Sequence, residues 1–262
     1  MSQCAKQPIG LAHWFIGSLV HSESGIGSLR IIIFSDLHAN LEALGSLLSA
    51  EKKPDAYFFL GDVVGYGPDP GMCLSWMRSN VQYAVRGDHD HITVNRAEFV
   101  LPAEERELAL ATRDHTLRQL RPADLAYLAA MPTTLHVELG NTKFFLVHAK
   151  PSNALTSGID IATASENTLR AEKQGVDADV IFVGHTHVPA IRRVDNTFFV
   201  NPGSLGQPCH GLPSATYAVW DDGHLQIHHI DYDPQPTIRK LGLIGVDPDV
   251  QIRLAEILER GM

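Results

Sequence analysis

The chain has 262 residues, with 21 Lys and Arg against 30 Asp and Glu, so its formal net charge at pH 7 is -9. This length favours one domain with a substantial core, and the acidic balance excludes the broad positive surface that non-specific nucleic-acid binding needs. The three cysteines, Cys4, Cys73 and Cys209, are odd in number and far apart, which argues against a disulfide framework and for a reducing, cytoplasmic compartment.

Residues 1–28 predict a flexible N-terminal extension. The Ser- and Gly-rich run SESGIGS is typical of a linker, and a regular pattern begins only near Leu29. The apolar stretch Ile9–Val20 is too short to span a bilayer and lacks a clear cleavage pattern. We therefore predict no membrane association.

The stretch from Arg30 to Asn40, RIIIFSDLHAN, predicts a buried strand that ends in metal-ligand chemistry. Four successive apolar residues indicate a strand covered on both faces. Asp36 and His38 follow it two residues apart, so an extended chain would turn both side chains to the same side. A carboxylate with an imidazole suits a divalent metal. Asn40 is a plausible N-cap for a helix over Leu41–Ala50.

Two further predicted strands end in the same way. Tyr57–Leu60 runs into Asp62, and Val81–Val85 runs into Gly87-Asp88-His89-Asp90. A helix from about Met72 to Arg78 lies between them. This alternation predicts an α/β sheet, and open α/β sheets place their ligands at the carboxyl ends of strands.

The second half continues the alternation and supplies more histidines. Residues 92–131 predict a helical insertion over the site. Phe144–Val147 ends in His148, and Val180–Val183 ends in His185 and His187. The remaining predicted elements are strands at Val137–Leu139, Ala190–Val194, Thr197–Val200, Thr216–Trp220 and Leu225–Ile230, and helices at Ile161–Gln174 and Asp249–Glu259.

The strand ends together offer more nitrogen and oxygen ligands than one tetrahedral ion needs, and no thiolate. These ligands are Asp36, His38, Asp62, Asp88, His89, His148, His185 and His187. With Asp62 bridging, two divalent ions about 3.5 to 4 Å apart could polarise a phosphoryl group and generate hydroxide from water near neutral pH.

Five blocks in this order resemble the signature of the calcineurin-like metallophosphoesterase superfamily. They are Asp36-x-His38, Gly61-Asp62, Gly87-Asp88-His89-Asp90, Val147-His148 and Gly184-His185-Thr186-His187. Within the superfamily, DLHAN, GDVVGYGPDP, GHTH and NPGSLGQP resemble its small bacterial and archaeal phosphodiesterases. The resemblance covers roughly Arg30 to Gly261 and implies a four-layer α/β-β/α sandwich, with residues 29–262 as one metallophosphoesterase domain.

The resemblance also implies roles for the ligands. One ion would be held by Asp36, His38 and His187, the other by Asp88, His148 and His185, with Asp62 between them. His89 would protonate the leaving oxygen or stabilise the transition state, and Asp90 would orient the His89 ring. Manganese, iron, nickel, zinc and cobalt all suit these ligands, with manganese favoured.

Asp88 departs from the family pattern, which has asparagine at this position. An asparagine can donate its amide hydrogens to a phosphate, whereas an ionised aspartate only accepts. The aspartate adds a negative charge beside the expected phosphate position. We therefore predict tighter metal retention, weaker substrate binding and slower turnover than an Asp88→Asn variant would show.

Three further residues are candidate substrate contacts. Asn40 and Tyr66 lie near the ligand blocks, although a helix cap and a packing tyrosine are the alternatives. Ser204 would help to shape the site, although turn chemistry alone explains its neighbours Pro202 and Gly203.

The sequence thus predicts a two-metal phosphoesterase that hydrolyses a small phosphodiester or phosphomonoester by attack of metal-bound hydroxide. The alternatives are a scaffold or interaction protein of the same fold with a weakened site, and a nuclease for short oligonucleotides. The residues predict no extended nucleic-acid surface, and they leave homo-oligomer formation open.

Overall fold

The computed structural model describes residues 17–18, 29–97 and 103–262. The predicted N-terminal extension therefore lies outside the described residues, except for Gly17–Ser18. These two residues form a short strand that pairs with residues 224–225 at one edge of a sheet.

Strands and helices alternate through the first half of the chain, as the sequence predicts. The strands are β1 (Gly17–Ser18), β2 (Arg30–Phe34), β3 (Ala56–Phe59), β4 (Tyr83–Ala84), β5 (Thr134–Leu139), β6 (Thr142–Val147), β7 (Val180–Phe182), β8 (Ala190–Val194), β9 (Thr197–Asn201), β10 (Ala215–Asp221) and β11 (His224–Ile230). The helices are α1 (Leu41–Ala50), α2 (Pro70–Asn80), α3 (Asp88–Asn95), α4 (Ala103–Gln119), α5 (Pro122–Ala130), α6 (Glu166–Lys173), α7 (Gln235–Leu241) and α8 (Pro248–Arg260).

The strands form two mixed sheets. The first has the order β1-β11-β10-β2-β3-β4, and the second has the order β5-β6-β7-β9-β8. The strands β2, β3 and β4 are parallel neighbours, as are β6, β7 and β9. Their carboxyl ends therefore lie along one edge of each sheet, where the ligand blocks begin.

Three layers of apolar side chains hold the sheets and helices together. The side chains of β2 alternate between two of them, because successive residues in a strand face opposite sides. Ile31 and Ile33 face the second sheet and pack with residues such as Phe144 and Phe182. Ile32 and Phe34 face the other way, toward α1 and α2, while Leu169 of α6 packs on the outer face of the second sheet. This is the predicted α/β-β/α sandwich.

The structure differs from the predicted elements at three places. The block Asp88-His89-Asp90 is not a loop after a strand but the first turn of α3. The strand before it is only two residues long, Tyr83–Ala84. The helix α7 was not predicted, because Gln235–Leu241 begins with a polar residue and a proline and shows little apolar periodicity.

Among the described residues, Cys73 is free and buried. Within the part of the chain that the structure describes, no helix combines the length and the apolar character needed to cross a bilayer.

Candidate metal centre

Most of the predicted ligands lie in loops that leave the ends of parallel strands, whereas Asp88 lies in the first turn of α3, and the backbone of these loops is unusual. Asp36, His38, Asp62, His185 and His187 all have positive φ angles, between 45° and 66°. Residues other than glycine rarely adopt this left-handed conformation, and it concentrates at functional sites. The expectation that an extended chain aligns Asp36 with His38 is therefore wrong, since tight left-handed turns place these two side chains.

A first group of ligand atoms comes from the loop after β2 and from the loop after β7. The Nε2 atom of His187 lies 3.2 Å from Asp36 Oδ1 and 3.2 Å from His38 Nε2. His38 Nε2 lies 3.8 Å from the same Asp36 oxygen. These atoms are close enough together to share one ion.

A second group of ligand atoms comes from α3 and from the loops that follow two strands of the second sheet. Asp88 Oδ1 lies 3.1 Å from His148 Nε2 and 3.2 Å from His185 Nδ1. The two imidazole nitrogens are 3.3 Å apart. The first sheet and its following helix thus provide a carboxylate for a pocket whose imidazoles come from the second sheet.

Asp62 lies between the two groups. Its Oδ2 is 3.3 Å from His148 Nε2 and 3.9 Å from His38 Nε2, and its Oδ1 accepts a hydrogen bond from the backbone of His89. Glycine is required at position 87, because an added Cβ would come within 2.0 Å of Asp62 Oδ1. This is the position expected of a carboxylate that bridges two ions.

Hydrogen bonds to backbone carbonyls orient three of the imidazoles. The Nδ1 atoms of His38, His148 and His187 lie 3.1, 2.7 and 2.7 Å from the carbonyl oxygens of residues 64, 60 and 207. An Nδ1–H that donates to a carbonyl leaves Nε2 for the interior of the site, which is the usual arrangement of metal-binding histidines.

The charges of the buried carboxylates and imidazoles suit the binding of cations. Asp36 Oδ1 is buried and has no hydrogen-bond partner. Burial opposes a charged imidazole, yet the carboxylates of Asp62 and Asp88 raise the pKa of His148 well above its ordinary value. Burial also raises the pKa of Asp62 well above its ordinary range. Without ions, protons must therefore balance the carboxylates, and divalent ions would take over this role.

His89 lies beside the ligands and is the predicted general acid. Its ring packs against Tyr66 and His38, with centroid distances of 4.5 and 5.0 Å. One of its ring nitrogens is also near enough to His38 and Asp62 to belong to a third group of ligand atoms. Burial lowers the pKa of His89 to about 4, so the imidazole is neutral at pH 7 and carries one N–H.

Asp90 makes contacts that the sequence did not predict. Its carboxylate accepts hydrogen bonds from the backbone N–H groups of residues 62, 63, 64 and 87, at 2.9 to 3.2 Å. These hydrogen bonds tie the carboxylate to the loop of Asp62, and the orientation of the His89 ring by Asp90 stays a prediction. Burial raises the pKa of Asp90 to about 6, although the N–H groups favour the ionised form. Asp90 therefore positions the loop that carries Asp62.

We expect Asp90→Asn to destabilise the metal-free protein by about 1 to 3 kcal/mol, because an amide group would face two N–H donors that now have an acceptor. Denaturant unfolding followed by circular dichroism measures this change. The matched control is Asp114→Asn, an exposed site on α4. Equal stability of the two variants would show that the loop does not depend on the Asp90 carboxylate.

The three predicted substrate contacts have different surroundings. Asn40 caps α1 through Ala43, and its amide donates to Gly206 and to Tyr232. The helix-cap alternative therefore describes Asn40 as the structure has it, and a substrate contact stays a prediction. Ser204 is buried and donates to the backbone carbonyl of Asp36, so it supports the first ligand loop.

Tyr66 is the one predicted substrate contact that lines the open pocket over the ligands. Sequence reasoning missed Glu105, Leu108 and Ile257, because these residues come from α4 and α8, which are distant in the chain. The pocket opens to solvent, and its cavity volume is about 40 Å³. Its walls contain Asp62, Tyr66, Asp88, His89, Glu105, Leu108, His185, Thr186, His187, Gln207, Cys209 and Ile257.

Known proteins and protein families resemble this chain in sequence. Residues 29–222 match the family model described as the calcineurin-like phosphoesterase superfamily domain. The chain is 26% identical to an uncharacterised protein of Methanocaldococcus jannaschii over 230 residues, which is 80% of this chain and 91% of that protein.

Two solved structures are also similar. A metallophosphoesterase from Sphaerobacter thermophilus is 28% identical, with a TM-score of 0.73 over 90% of this chain and all of that chain. A hypothetical protein from Pyrococcus horikoshii is 19% identical, with a TM-score of 0.74 over 89% of this chain and 99% of that one. The second likeness shows the shared fold.

Proposed function

This chain belongs to the calcineurin-like phosphoesterase superfamily, and on that basis we propose that it hydrolyses a phosphoric ester at a centre of two divalent ions. The observation that carries the proposal is the position of Asp62 between two groups, each with one carboxylate and two imidazoles. Two ions bound there would polarise the phosphoryl oxygens and supply a nucleophile from water near neutral pH.

The residues around the pocket would have three different roles in this reaction. Asp36, His38 and His187 would hold one ion, and Asp88, His148 and His185 would hold the other. The neutral His89 imidazole keeps one N–H, which can donate a hydrogen bond to a phosphoryl or leaving-group oxygen in the pocket and stabilise the charge that develops there. Asp90 and Ser204 keep the loops of Asp62 and Asp36 in place.

Metal removal tests this function. Protein stripped with a chelator should not turn over bis(p-nitrophenyl) phosphate or p-nitrophenyl phosphate. Manganese, iron, nickel, zinc or cobalt, added back one at a time, should restore turnover in proportion to the bound metal, and we expect manganese to be the most effective.

The outcome of this experiment also separates the alternatives. Full turnover without metal would contradict the proposal. The absence of turnover with two ions bound would favour the scaffold. Faster hydrolysis of a short oligonucleotide than of either aryl ester would favour the nuclease. The control is Asp222→Asn, a substitution of an exposed residue, which shows how much activity is lost through chelation and reconstitution alone.

A further inference from the structure

Two helices contribute apolar side chains to the wall of the pocket over the ligands. Leu108 belongs to α4, and Ile257 belongs to α8. The helix α8 spans residues 248–260, whereas the residues that match the family model end at 222. An element outside the matched residues thus forms part of the pocket over the ligands.

A second, smaller pocket lies directly beside the first and is mainly apolar on one side. It shares Tyr66 and Gln207 with the first pocket and also contains His38, one of the ligands. Its apolar wall consists of Leu241, Leu254 and Leu258, from α7 and α8. These three leucines are at most 5% exposed and the second pocket has room for about one water molecule, so the apolar surface that a ligand can reach lies in the first pocket.

Packing and one ion pair hold α8 in this position. Leu254 and Leu258 are buried in one cluster with Tyr66 and Leu108. Arg253 of α8 contacts Glu107 of α4 at 2.7 Å and donates to the backbone carbonyl of Glu104. The wall is thus built into the fold.

The charges around the pocket restrict what can bind there. Among the described residues, neither pocket is lined by a Lys or Arg, the residues that usually recognise phosphate dianions and polyphosphates. Asp88 adds a carboxylate at the ligands themselves. A singly charged phosphate group with an apolar substituent matches this environment better than a dianion does.

We infer that Leu108 of α4 and Ile257 of α8, together with Tyr66, form a binding subsite for an apolar alcohol group, and that the substrate is a singly charged phosphodiester with at least one aromatic or alkyl group. This inference rests on the proposed function, whose substrate class it narrows. Water adds to phosphorus, the bond from phosphorus to the alcohol oxygen breaks, and a proton from the water goes to that oxygen. The products are a phosphomonoester and an alcohol.

Equilibrium binding tests the subsite without any turnover. Diphenylphosphinate and dimethylphosphinate carry the same single charge and contain no ester bond, so only their substituents differ. Calorimetry with the metal-loaded full chain should show that diphenylphosphinate binds at least about tenfold more tightly. Ile257→Ala should reduce this preference by about three- to tenfold, because it removes apolar surface from the pocket.

The matched control lies on the same helix. Ile252 is 57% exposed, and Ile252→Ala should keep the preference of the original protein. Equal affinity for both phosphinates, no binding of either, or an unchanged preference in Ile257→Ala would overturn the inference. Failure of the proposed function has a different signature, since it appears as absent ester turnover in the metal-loaded protein whatever the phosphinates do.

Discussion

Asp62→Asn is expected to remove at least one of the two ions and to lower kcat by about 10²- to 10³-fold. The oxygen of Asp62 nearest the imidazoles lies 3.3 Å from His148 Nε2 and 3.9 Å from His38 Nε2, so one carboxylate serves both groups. An amide keeps the shape but removes the charge that two cations would share. Losses of this size are typical when a key electrostatic contact is removed from an active site.

Metal content per chain after gel filtration, together with steady-state turnover of an aryl phosphodiester, measures both effects. The other oxygen, Asp62 Oδ1, accepts the backbone N–H of His89, and asparagine can keep this bond. The fold should therefore survive, which circular dichroism can verify. Asp222→Asn is the exposed control. Two tightly bound ions and normal turnover in Asp62→Asn would refute the bridging role.

Asp88→Asn is expected to act in the opposite direction on turnover. Asp88 Oδ1 lies 3.1 Å from His148 Nε2 and 3.2 Å from His185 Nδ1, so an asparagine oxygen can still reach the second ion. Although burial opposes its charge, hydrogen bonds with these two histidines hold the pKa of Asp88 well below its usual range. The aspartate therefore presents a full negative charge to the incoming phosphate.

Two unit charges about 5 Å apart repel by roughly 0.8 kcal/mol at the dielectric constant of water, and a dianion feels twice as much, which corresponds to about tenfold. We expect Asp88→Asn to weaken metal retention and to raise kcat/KM about tenfold for p-nitrophenyl phosphate, with a smaller gain for the diester. Metal dialysis and steady-state kinetics on both esters measure these changes.

The control for Asp88→Asn is Asp90→Asn, the same substitution two residues later in α3. Because the Asp90 carboxylate faces backbone N–H groups, its loss should bring no gain toward the monoester. Unchanged metal content and unchanged kinetics in Asp88→Asn would contradict the charge argument. Activity that appears only in Asp88→Asn would instead show that the aspartate disables an otherwise complete site.

The local elements were largely readable from the amino-acid pattern. Ile31–Phe34 predicted a strand buried on both faces, and Asn40 predicted the start of α1 at residue 41, as the structure has it. These features depend on a residue and its near neighbours. Side-chain branching, apolar periodicity and caps act over a few residues, so the sequence displays them directly.

Most of the candidate site could also be predicted from the order of the polar blocks that follow the strands. Asp36, Asp62 and Asp88 follow neighbouring parallel strands, so the edge at which they meet follows from the α/β alternation. The local reasoning behind Asp36 and His38 was wrong all the same. Both residues have positive φ, and the contacts around the whole site hold them there.

The sequence by itself determined the family, the sheet-forming segments and the set of candidate metal-ligand side chains. The tertiary structure decided how the two sheets face each other, that Asp90 holds the Asp62 loop, and that Leu108 and Ile257 wall the pocket. Such contacts join residues up to about 200 positions apart in the chain. The packing of whole layers sets them, because an amphipathic helix shows which face is apolar but not what that face will cover.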